Sequence, residues 1–208
     1  GNDAPMEEET GFADISRLTN QDKELDFALL FRLASESHEQ GRFQEAYTRL
    51  IWIGKQEGLP LDLAPEVVFL QAETCSELLS REKNVTKEEC LSLYLRAWDL
   101  SEGSPRTPLI LFRMAEAYLL ASEPYNAEQS FARLSREFPN HPLNQLIPHV
   151  WGNYHFQRNE FIKAAELFWE FFQANAATDE AREDAPRLAL VLNLNKDHAR
   201  AMEVVQFI

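Results

Sequence analysis

Two small-residue positions recur at one fixed interval through the second half of this chain. Ala115, Gly152 and Ala189 stand 37 residues apart, and so do Ala127, Ala164 and Ala201. Two positions held in register over three units mark a structural unit that stacks on copies of itself. Within each unit, apolar residues return at spacings of three and four, in segments broken by Gly, Pro and Asn, which predicts a pair of helices. Leu111, Met114, Ala115 and Tyr118 form one segment, followed by Ala127 and Phe131 and then Pro139. One unit later the same order reads Trp151, Gly152 and His155, then Ala164 and Phe168. Leu188, Leu192 and Val205 occupy the corresponding places after that. A small residue on each helix lets two axes approach, aromatic side chains fill the space beside it, and proline ends the second helix.

Upstream, Leu30, Leu33 and Ala34 precede Gly41, Phe43, Ala46 and Leu50 in a further unit with a turn glycine. Between it and the regular units lies a degenerate one, with Ala72 and Cys75 on one helix and Cys90, Tyr94 and Ala97 on the next. Its small positions Ala72 and Cys90 are 18 residues apart instead of 12, so about six residues are inserted around "SREKNVT". Gln71 stands where an apolar residue is expected. Leu and Ala outnumber Val, Ile and Thr by more than two to one, which favours helix over strand. The expected repeats span 27–60, 65–107, 108–141, 145–178 and 182–208, within a helical domain from 22 to 208. Residues 1–21 read as a flexible acidic tail, with one helical turn around Ile15 and Leu18. The chain opens at Gly1 without a methionine, and we expect that a preceding segment has been removed. The tripeptide Asn84-Val85-Thr86 matches a glycosylation sequon, a match too short to carry weight.

The order large, large, small, aromatic, then small, aromatic, then proline resembles the tetratricopeptide repeat (TPR) family over roughly residues 25–208. The period of 37 exceeds the usual one of about 34, and the extra residues follow "FPNHP". Over residues 108–208 this is similar to bacterial cell-envelope members, such as the Tol-Pal-associated periplasmic protein and outer-membrane assembly lipoproteins. The resemblance implies an all-α, right-handed superhelical solenoid of about five antiparallel helix pairs. It implies a non-enzymatic scaffold that binds protein or peptide in a concave groove lined by first helices, in a periplasmic or outer-membrane-associated setting. A cytosolic adaptor for complex assembly, with the same fold, is the alternative. In the repeat register the innermost groove row is Phe31, Phe69, Phe112, His149 and Pro186. Four residues on comes Ser35, Glu73, Glu116, Asn153 and Leu190, and then His38, Ser76, Leu119, Phe156 and Asn193. Leu120 and Leu146 extend the apolar middle, while Glu66 and Glu77 add negative charge toward the N-terminal half. These positions hold no Lys or Arg, which argues against clamping a carboxylate. They suit an apolar segment flanked by basic residues, unless a flanking helix or the acidic tail fills part of the groove.

A net charge of −14 and a pI near 4.8 offer no basic stripe for nucleic acid or an anionic membrane surface. No apolar run of about 18 residues is present to span a bilayer. His149 and His155 are six residues apart, about 600° around a helix, and cannot share one metal ion. His155 sits at a core aromatic position, and His141 and His198 fall in turns. With no cysteine, serine or carboxylate arranged with them as nucleophile and base, neither catalysis nor a cofactor is implied. Cys75 and Cys90 flank a hairpin turn near Glu82 and Lys83, each seven to eight residues from it. They should face each other, as a disulfide in an oxidising compartment or as small core residues otherwise. The last helix ends at Ile208 without a polar capping helix, leaving Val204, Phe207 and Ile208 to be covered by further chain, by an inward fold, or by a second copy in a homodimer.

Overall fold

The computed structural model describes residues 26–101 and 103–207. The acidic stretch 1–21, the turn expected around Ile15 and Leu18, and Ile208 lie outside the described residues. Among the described residues there are ten α-helices and no strand. They run α1 (Phe27–Glu39), α2 (Phe43–Gly54), α3 (Ala64–Ser80), α4 (Lys87–Leu100), α5 (Thr107–Leu120), α6 (Pro124–Glu137), α7 (Ile147–Gln157), α8 (Phe161–Asn175), α9 (Asp179–Leu194) and α10 (His198–Phe207). A 3-10 turn, Pro142–Leu146, leads into α7. Consecutive helices pair as α1–α2, α3–α4, α5–α6, α7–α8 and α9–α10. This is the all-α helical-repeat architecture expected from the period. The contacts divide the chain into two compact units, with the boundary between Ser104 and Pro105.

Local chemistry starts and stops these helices. Asp26 accepts from the Leu29 amide at 2.9 Å, and Thr178 from the Ala181 amide at 3.2 Å. Thr86 and Glu89 form a reciprocal capping box at the start of α4, which gives the threonine of the sequon a structural role. Pro65, Pro108, Pro124 and Pro148 each sit in a first helical turn, where a missing amide costs nothing. Every within-pair turn uses one left-handed residue: Gly41, Glu82, Ser122, Asn159 and Lys196, with φ between 54° and 75°. The next amide then donates back to a carbonyl of the preceding helix, as from Glu123 to Tyr118 and from Asp197 to Leu192, both at 2.8 Å. Only one of the five is glycine.

In unit 1 the core gathers Leu30, Ala34, Leu50, Ile53 and Val67. Gln71, the polar residue at an apolar position, is buried and donates to the Leu50 carbonyl at 2.8 Å, so its amide nitrogen is satisfied. The inserted repeat lengthens α3 to 17 residues and adds the segment 81–86 before α4. In unit 2 the core is built from Phe168, Phe171, Leu188, Leu192 and Val204. Each fully buried Phe or Leu there contributes about 2 kcal/mol of transfer free energy. Gly152 touches Phe168 so closely that a Cβ would stand 2.6 Å from its ring. Val204 is covered by its own unit, and Phe207 meets Phe172 edge-on at 5.2 Å, while Met202 and Val205 stay exposed.

Candidate binding surface

In unit 1 the first helices are α1 and α3. Phe31 is half-buried against the core, and Phe69 is only 6% exposed because it packs edge-on against Tyr94. Ser35 turns back to the Phe31 carbonyl. His38 reaches across to Thr74, Nδ1 to Oγ1 at 2.9 Å, and ties the two first helices together. The Tyr94 hydroxyl donates to Glu73 at 2.6 Å and lies 3.1 Å from Ser76 Oγ. Glu77 pairs with Arg81 one turn on. Cys75 on α3 and Cys90 on α4 are joined as a disulfide, with Cα atoms 5.4 Å apart.

In unit 2 the first helices are α5, α7 and α9. Phe112 is 3% exposed, held edge-on by Phe131, and Leu119 is buried; Leu120 is 44% exposed at the end of α5. Arg113 donates to Glu116 at 2.9 Å. On α7, His149, Asn153 and Phe156 are all half-buried. Phe156 rests against Phe161 and Phe168 at 5.9 and 6.3 Å. Pro186 is exposed inside α9, and Leu190 and Asn193 follow it on the exposed side.

One polar network joins α7 to α9. His149 Nδ1 pairs with the carboxylate of Asp184, a residue only 1% exposed. The Asn153 amide nitrogen lies 3.2 Å from His149 Nε2, and Asn153 Oδ1 accepts from Arg187. A neutral imidazole carrying its proton on Nδ1 satisfies both of its contacts. Arg187 Nη2 stands 2.7 Å from Asp184 Oδ1, yet that oxygen has no donor aimed along it. The short distance makes this an ion pair, and the oblique approach keeps it from being a directed hydrogen bond. His149 also tilts against Phe171 at 5.3 Å. The other histidine of this helix, His155, stacks on Trp151 at 5.9 Å and meets Glu160 at 2.6 Å. That hydrogen bond, with help from Lys163, holds the Glu160 carboxyl below its ordinary range.

The sequence register places His149, Asn153 and Phe156 together but misses Asp184, Arg187, Thr74 and Tyr94. It also misses Arg113, which stands beside Glu116 as Arg187 stands beside Asn153. A signal for most of these was present. Partners on successive repeats are separated by slightly less than one period: 36 residues for His38–Thr74, 35 for His149–Asp184, and 34 for Asn153–Arg187, Phe161–Asn195 and Glu166–Arg200. Among the described residues no group of three His, Cys, Asp or Glu side chains is placed to hold a metal ion. No helix is long and apolar enough to cross a membrane, again among the described residues.

Fold and surface together define a helical-repeat protein of TPR-like architecture. Its likeness to solved structures says the same. MamA, a TPR-containing protein, in a structure described as an RS-1 double mutant, superposes with a TM-score of 0.61 at 15% identity, covering 89% of this chain and 94% of that one. BtubC from P. vanneervenii superposes with a TM-score of 0.62 at 14% identity, covering 94% and 81%. No family model matches the chain. No curated protein matches it either.

Proposed function

We propose that this protein is a protein- or peptide-binding scaffold that uses the first-helix faces of its repeats. The observation that carries the reading is the His149–Asn153–Asp184–Arg187 network in unit 2. It spans two successive first helices, uses the buried Asp184 to orient His149 and Arg187, which with Asn153 keep partial exposure, and lies beside the half-buried Phe156. Preoriented polar groups beside an apolar surface suit an extended or helical segment whose backbone needs partners. The first-helix face of unit 1, taken by itself, carries Glu66, Glu73 and Glu77, and the chain as a whole is strongly acidic. An apolar segment flanked by Lys or Arg is therefore the favoured ligand.

A cell-envelope setting, periplasmic or outer-membrane-associated, is part of the proposal. It draws support from the Cys75–Cys90 disulfide, because such bonds persist where thiols are oxidised. An immobilised peptide library tests the ligand chemistry. Enrichment of apolar segments with basic flanks is expected, and it should weaken for Asn153→Ala. Enrichment of acidic peptides, or profiles identical for both proteins, would overturn the assignment.

A further inference from the structure

We infer that the Cys75–Cys90 bond closes while the second hairpin is still open, by exchange with a disulfide-bearing carrier, and is then sealed from reductants by the core of unit 1. Three observations carry this. The pair staples the one hairpin, among the described residues, that carries an insertion, where segment 81–86 separates α3 from α4. Its Cα separation of 5.4 Å falls within the range that a disulfide needs without backbone movement. In the finished fold Cys75 is fully buried and Cys90 is 2% exposed.

The chemistry fixes the order of events. A thiolate of one cysteine attacks the carrier disulfide, forming a mixed disulfide and releasing one carrier thiolate. The second cysteine, as thiolate, attacks the protein sulfur of that mixed disulfide and displaces the remaining carrier thiolate. Two protons and two electrons leave the chain, and the carrier is reduced to its dithiol. Each displacement needs a sulfur to approach along the bond being broken, and the closed core leaves no such path. Bond formation therefore precedes final packing, and reduction later requires the hairpin to open. One helical turn away, Tyr94 donates to Glu73 and meets Ser76, a second tie between α3 and α4 that opposes this opening.

The inference concerns the chain's maturation and stands apart from the ligand proposed above. The full-length protein is produced in an oxidising compartment, denatured without reductant and treated with an alkylating agent. Neither cysteine should be modified. In a second arm the native protein and a urea-unfolded sample are exposed to the same dithiol, and loss of the bond is followed by mass. Reduction of the native protein should be slower by about 100-fold or more, since it must pass through an opened state. Two alkylated cysteines in the first arm, or equal reduction rates in the second, would overturn the inference.

Discussion

Gly152 and Lys196 show how single residues set the geometry of this repeat. At Gly152 even a methyl group is excluded, because the Phe168 ring occupies its place at 2.6 Å. Gly152→Ala should cost about 1–3 kcal/mol through overpacking. In urea denaturation this would appear as a lower midpoint at unchanged slope. Lys196 holds φ at 62°, a conformation that a side chain disfavours by about 1 kcal/mol. Lys196→Gly should therefore raise the midpoint, and a fall would show that the lysine side chain contributes more than the turn does. These two positions also mark what was readable in advance. The glycine stood out because the same place in neighbouring repeats holds alanine. Among the left-handed turns, Asn159 carries a milder mark, as a residue that tolerates the left-handed conformation, but Glu82, Ser122 and Lys196 carry none, since backbone hydrogen bonds impose the conformation on whatever residue stands there.

Between helices, side-chain contacts link one repeat to the next. Arg200 on α10 reaches back to Glu166 on α8 and to Asp197 at its own helix start, and stands 5.4 Å from the centre of the Trp169 ring. Hydrogen bonds and charge from Arg200 hold both carboxyls below their ordinary range, and the guanidinium is held above its own. A carboxyl depressed in the folded state stabilises it above the unfolded value of about 4, and that contribution is lost as pH falls through the folded value. Unit 2 should therefore lose stability below about pH 4, and Arg200→Gln should flatten that part of the stability curve. An unchanged acid limb would show that the Arg200 contacts with Glu166 and Asp197 contribute nothing to it. In unit 1, closing the 15-residue interval between Cys75 and Cys90 is worth about 3 kcal/mol of chain entropy in the loop model. The Cys75→Ala, Cys90→Ala chain should unfold at correspondingly lower urea. Helix pairing and the small-residue contacts were legible as periodicity. The cross-repeat pairs left a signal one to three residues short of the period, which the exact 37-residue register passes over, and they involve residues that look like ordinary surface polar groups. Asp184 is the clearest instance. Nothing beside it in the sequence shows that it will be buried and will anchor His149.

For the molecule as a whole, the repeat architecture supplies first-helix faces in each unit, and the proposed function depends on those faces meeting a partner. The exposed apolar side chains Tyr125 and Ile162 begin second helices and offer a comparison surface on the same chain. Amide NMR of the isotope-labelled protein, titrated with an apolar peptide flanked by lysines, separates the two surfaces most directly. Shifts should concentrate on first-helix residues such as His38, Glu73, Asn153 and Phe156, with Tyr125 and Ile162 silent. Shifts confined to the second helices, or none at millimolar peptide, would contradict a first-helix binding surface.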